Sequence, residues 1–143
     1  RVGMAVGNPE MVNALMRVKS NIDSGLSQAN QEMGIAALDL PKEWIDTNNE
    51  VYRKRRDKVV SVLNEIGVPA VAPKGALYIW TPIPAGYTSA KYAQKLLDEV
   101  NVVVTPGNGY GPGGEGYIRL SLTIPDDQID EGLRRLSQLR TNS

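Results

Sequence analysis

An arginine stands in the middle of a strictly alternating run near the C-terminal end. Residues 117–124 read Tyr-Ile-Arg-Leu-Ser-Leu-Thr-Ile. Successive side chains of a strand point to opposite faces. Ile118, Leu120, Leu122 and Ile124 then form a uniformly apolar core face, and Tyr117, Arg119, Ser121 and Thr123 a uniformly hydrogen-bonding one. Mid-strand placement holds the stem of Arg119 and turns its head away from the core. A guanidinium offers a rigid planar fork that pairs bidentately with a carboxylate. Arg119 therefore suits two roles: an anchor for a small carboxylic acid, or a solvated or salt-bridged arginine on an open sheet face.

Other segments carry weaker chemistry. Residues 106–116 hold six glycines in eleven positions. Glycine loops cradle phosphate where they open a helix, but this one opens onto a strand and no Lys-Ser/Thr pair follows. It reads instead as a mobile loop with Tyr110 projecting, of the kind that borders a substrate mouth. Arg53, Lys54, Arg55, Arg56 and Lys58 form a basic cluster interrupted by Asp57, read as a solvated helix face. Asp126, Asp127, Asp130 and Glu131 read as acids favouring a helix N-terminus, and not as a metal site. Tyr78 and Trp80 share one face of their strand, with packing between lobes as the default role.

The elements that position these groups follow from pattern. Residues 2–6 read as a short strand. Asn8-Pro9-Glu10 supplies an N-cap, a proline at the first helical position and a first-turn acid. Met11, Leu15, Val18 and Ile22 then mark one helical face. Asp23-Ser24-Gly25 breaks it. A second helix follows, with Leu26, Ala29, Met33, Ala36, Ala37 and Leu40 inward. Residues 41–66 read as one long helix with Val51, Val59, Val62, Leu63 and Ile66 in a stripe, stopped by Gly67. Beyond it come strand 76–80, helix 89–100 (Tyr92, Leu96 and Leu97 inward), strand 102–105, the glycine loop, strand 117–124, and a last helix with Ile129, Leu133, Leu136 and Leu139 on one face. The fold class is α/β: a small sheet with packed helices at 68–143, a long connecting helix at 41–67, and at 1–40 a strand plus two helices whose broad apolar faces ask for a larger sheet.

Composition narrows the function classes. Among 143 residues there is no Cys and no His, which excludes disulfides, thiolate or imidazole metal ligation and Ser-His catalysis within this chain. Sixteen basic and sixteen acidic residues cancel, so bulk charge draws the chain neither to nucleic acid nor to anionic membrane. Pro and Gly interrupt every apolar stretch before it reaches membrane-spanning length. A Cys-free chain is compatible with the cytoplasm. An opening Arg1 reads as a processed product or an excised piece.

In order, Arg1-Val2-Gly3, Pro73-Lys74-Gly75-Ala76-Leu77-Tyr78-Ile79-Trp80, Pro106-Gly107 with Tyr110-Gly111, and Gly114-Glu115-Gly116-Tyr117-Ile118-Arg119-Leu120-Ser121 resemble one family. The chain looks like the C-terminal part of a class I/II, fold type I, pyridoxal-phosphate aminotransferase. Lys19-Ser20-Asn21-Ile22-Asp23-Ser24-Gly25 looks most like the branch containing aspartate and LL-diaminopimelate aminotransferases. The resemblance implies that Arg1 binds the cofactor phosphate, that Arg119 binds the substrate α-carboxylate, and that residues 21–24 approach a dimer interface near the partner's cofactor. It implies residues 1–40 as the tail of a large cofactor-binding domain, 41–67 as a connecting helix and 68–143 as the small domain. The family's Schiff-base lysine would precede Arg1, and none of the seven lysines here follows a serine as that lysine does. The implied parent is then a cytoplasmic homodimer moving an amino group between an amino acid and a 2-oxo acid. This chain alone would be inactive, hold no catalytic residue and no metal, and bind no cofactor. Two rivals remain: another fold type I enzyme such as a lyase or decarboxylase, and a stand-alone α/β ligand-binding module.

Overall fold

The computed structural model describes residues 2–141 of the chain. It divides into two compact units, one up to Asp46 and one from Thr47 onward.

In the first unit, α1 (Pro9–Lys19) begins as its residues dictate. Asn8 Oδ1 accepts from the backbone N–H of Glu10 at 2.8 Å, and Pro9 needs no N–H partner in the first turn. Asp23 ends the segment: it pairs with Lys19 at 2.6 Å and accepts from Gly25 N–H at 2.9 Å. Ser27 Oγ caps α2 (Gln28–Leu38) by accepting from Asn30 N–H. Neither helix buries a residue, and Met11, Leu15, Val18 and Ile22 are all exposed. The expected strand at 2–6 is absent: no strand pairs with it among the described residues, and an unpaired run makes no ladder. Val2 and Met4 instead edge a concavity lined by Leu26, Met33 and Leu38.

The third helix, α3 (Lys42–Glu65), runs across the division of the units. Gly67 follows it at φ +83°, the left-handed conformation that terminates helices and favours glycine. In the second unit, β1 (Tyr78–Pro82), β2 (Thr105–Pro106) and β3 (Tyr117–Ser121) form an antiparallel sheet ordered β1-β3-β2. Its buried face carries Ile79, Thr81 and Ile118. Those side chains share one core with Val59 and Leu63 of α3, Tyr92, Leu96 and Val100 of α4 (Ser89–Val100), and Ile129, Leu133 and Leu136 of α5 (Asp126–Leu136). The unit is thus a sheet with helices over one face, as the α/β reading expects.

The strand boundaries differ from the pattern for local reasons. The first strand starts at Tyr78 because Ala76 sits at φ +82°, outside the extended region. Of the expected run 102–105 only Thr105 joins β2, since the Val102 N–H is taken by the Leu96 carbonyl at the end of α4. The third strand stops at Ser121, whose Oγ accepts from Thr123 N–H and lies 2.8 Å from Thr123 Oγ1. Ile124, expected in the core, is consequently exposed, and so is Leu97. The last helix passes into a 3-10 turn (Ser137–Thr141) after Leu136.

The basic cluster of α3 is more than a solvated face. Arg55, with its side chain 15% exposed, donates from Nε to Asp126 Oδ1 at 2.6 Å and from Nη1 to the Leu122 carbonyl at 3.0 Å. Lys58 pairs with Asp130 at 2.7 Å, and Arg56 donates to the Pro73 carbonyl. These bonds tie α3 to the start of α5 and to the entry of β1.

Candidate functional site

Register settles which groups meet on the outer face of the sheet. Trp80 stands opposite Arg119, Tyr78 opposite Ser121, and Pro82 opposite Tyr117. On the other side Thr105 stands opposite Arg119. Arg119 therefore occupies the middle of the central strand, its backbone held from both sides. The face away from Ile79 and Ile118 is aromatic and polar: Tyr78, Trp80, Tyr117, Arg119 and Ser121.

Arg119 is half-buried there and makes no ion pair among the described residues. Its Nε is buried with no hydrogen-bond partner. A buried donor without a partner costs about 1–3 kcal/mol, more when charged, so such groups ask for an acceptor. The guanidinium carbon lies over the Tyr78 ring at 4.2 Å and over the Tyr110 ring at 5.0 Å. Concavities lie against α2 and beside α5. The guanidinium sits among rings on a sheet face.

The glycine segment is built more firmly than its composition suggests. It forms two 3-10 turns, Gly107–Tyr110 and Pro112–Gly114. Gly107 and Gly114 are buried against each other: a Cβ on either would fall 2.0 Å from the other's carbonyl oxygen. Only glycine fits at that approach. The two turns are closed on each other at this pair. Tyr110 is exposed and lies edge-on to Trp80 at 5.6 Å, and Trp80 stacks on Tyr117 at 5.5 Å and 14°.

A second anchor fixes the loop's exit. Glu115 Oε1 accepts from the Ser89 N–H at 2.7 Å and from the Ser89 hydroxyl at 3.1 Å. Ser89 Oγ in turn accepts from the N–H groups of Gly116 and Tyr117. The Ser89 backbone N–H first, then the Gly116 N–H and the Ser89 hydroxyl, hold the Glu115 carboxyl below its ordinary range. Ser89 is fully buried at the start of α4, so the carboxylate also meets the positive end of that helix.

Of the site residues expected from sequence, Arg119 is where alternation puts it. Arg1 lies outside the described residues. Asn21 donates to the Arg17 carbonyl at 2.6 Å in the turn after α1. The rings of Tyr78 and Tyr110 beside Arg119, and the knot of Ser89 with Glu115, escaped the sequence reading. Alternation groups Tyr78 with Trp80 and Tyr117 with Arg119; only register joins the pairs.

Comparison with known proteins bears on this geometry. The family described as aminotransferase class I and II matches residues 1–136. An LL-diaminopimelate aminotransferase of Dehalococcoides mccartyi is 54% identical over all 143 residues, which span 37% of that relative's length. An aminotransferase structure from Staphylococcus aureus aligns with 95% of this chain and 36% of its own at a TM-score of 0.83 and 33% identity. An aromatic aminotransferase from Pyrococcus horikoshii OT3 aligns with 75% of this chain and 30% of its own, with a TM-score of 0.68 and 35% identity.

Proposed function

The chain belongs to the class I and II aminotransferase family, and from that premise we propose that Arg119 grips the α-carboxylate of an amino acid whose amino group passes to a 2-oxo acid. The observation that carries this reading is the buried, unpartnered Nε of a half-buried arginine on the central strand. A carboxylate pairing in the plane of the fork would supply the missing acceptor and fix one end of the substrate. A lysine there would keep the charge and lose the bidentate geometry. Relatives about half identical to this chain are named LL-diaminopimelate aminotransferases, which supports LL-diaminopimelate as the amino donor.

Pyridoxal phosphate, the group this family uses, supplies the electron sink for such a transfer when bound. Arg1, the one residue of this chain proposed to hold its phosphate, lies outside the described residues, and the described residues serve the substrate end. In the same reading residues 68–143 form the small domain, 41–67 the connecting helix and 1–40 the tail of the cofactor-binding domain. The cofactor-bearing lysine lies upstream of Arg1, and the chain alone is inactive and binds no cofactor. The whole protein is a cytoplasmic homodimer, with residues 21–24 near the partner's cofactor.

The test uses the full-length protein with LL-diaminopimelate and a 2-oxo acid. Arg119→Lys should raise the apparent KM for the amino acid at least tenfold and leave the cofactor absorbance unchanged. Unchanged kinetics would remove Arg119 from the role, and ammonia release in place of new amino acid would replace transfer by elimination.

A further inference from the structure

Two tyrosines from different parts of the chain converge on one guanidinium. Tyr78 comes from β1, two register positions along from the Trp80–Arg119 pair and on the same face. Tyr110 comes from the glycine segment and is braced edge-on by Trp80, which Tyr117 backs by stacking. The Arg119 carbon lies over both rings. Neither phenol hydroxyl has a hydrogen-bond partner among the described residues, so the rings make the contacts.

We propose that Tyr78 and Tyr110 are positioning residues that fix the plane of the Arg119 guanidinium for a carboxylate, acting through their rings and not their hydroxyls. The inference rests on the reading of Arg119 given above and deepens it. A guanidinium donates hydrogen bonds only in its plane, whereas aromatic rings engage its face. Rings over the face therefore leave the in-plane donors available and choose which way the fork points. A long side chain held this way has already given up rotamer freedom before the ligand arrives, which is the physical basis of preorganisation. The brace extends the argument to the glycine segment: Tyr110 holds its position because Trp80 stands on the strand beside Arg119, so one turn sets the geometry of a residue on another element.

The experiment uses the full-length protein with LL-diaminopimelate, reading KM and kcat separately, with cofactor absorbance and thermal midpoint as controls for folding. Tyr78→Leu and Tyr110→Leu should each raise KM about five- to tenfold with kcat changed less than about threefold. Tyr78→Phe and Tyr110→Phe, which keep the ring, should stay within about twofold of the parent. In an Arg119→Lys background the leucine substitutions should add nothing, since the group they position is gone. Should a leucine variant misfold, Tyr110→Met at the exposed turn takes its place. Equal effects of Phe and Leu, or a leucine effect that persists in the Arg119→Lys background, overturns the proposal. A KM that ignores Arg119→Lys overturns the carboxylate reading and the proposal with it. The clamp fails by itself where Arg119→Lys acts and the leucine variants do not.

Discussion

Gly107→Ala probes a place where backbone meets backbone. A Cβ at position 107 would stand 2.0 Å from the Gly114 carbonyl oxygen and 2.7 Å from that of Tyr117. Ordinary contact begins about 1 Å or more beyond the first of these. Both obstacles are main-chain atoms, so no rotamer change relieves the clash. One 3-10 turn must move away from the other, and the loop must loosen from β3. Overpacking in a core that can adjust costs about 1–3 kcal/mol; with backbone on both sides the cost should reach about 3–5 kcal/mol. For a unit of roughly 100 residues, that lowers the thermal midpoint by about 12 °C or more. The chain has two tryptophans, Trp44 and Trp80. In a Trp44→Phe background the emission of Trp80, packed against Tyr110 and Tyr117, reports the sheet face directly. Parent and Gly107→Ala chains unfolding within about 0.5 kcal/mol of each other, with the same Trp80 emission, would refute the argument that this approach is obligatory.

The same substitution should act in the opposite direction at Gly132. That glycine sits inside α5 with nothing within 4 Å of its missing Cβ, so Gly132→Ala should stabilise the chain by about 0.5–1 kcal/mol through helix propensity, read as a higher urea midpoint at unchanged slope. Acid should weaken the end of α5. Hydrogen bonds from Arg134 first and Arg135 next hold the Glu131 carboxyl down from 4.5 to about 2. A lowered folded value stabilises at pH above the ordinary one, and the contribution disappears as pH falls from 4.5 through about 2. Because Glu131 is exposed, salt should shrink the effect. A Glu131→Gln chain should show a shallower fall of urea midpoint over that window; an identical slope in both chains would contradict the assignment.

Most of the helices were legible because their signals are local. Asn8-Pro9-Glu10 opens α1, Gly67 follows α3, and the apolar spacing of Tyr92 and Leu96 or of Ile129, Leu133 and Leu136 marks the buried faces. Alternation alone placed Arg119 on the outer face of β3. The strand ends were not legible, since they depend on single events: a positive φ at Ala76, a hydroxyl of Ser121 turning back, the end of α4 claiming Val102. The site's surroundings were hidden for a different reason. Which ring lies beside Arg119 depends on the pairing of Trp80 with Arg119 and on the fold of residues 107–114, and neither leaves a trace in local spacing. Arg53, Lys54 and Lys58 of the basic cluster are exposed as their helix face suggests, but the ties of Arg55 and Lys58 were not legible because their partners, Asp126 and Asp130, are about seventy residues away.

The hydroxyl of Ser89 serves groups contributed by three consecutive residues, Glu115, Gly116 and Tyr117. Replacing it with a methyl group would leave the Tyr117 amide hydrogen without that partner, while Glu115 Oε1 keeps the N–H groups of Ser89 and Gly116. Replacing the glutamate alone would leave a buried helix start without its anion. Positions 89 and 115 therefore act as one fastening between the start of α4 and the entry of β3.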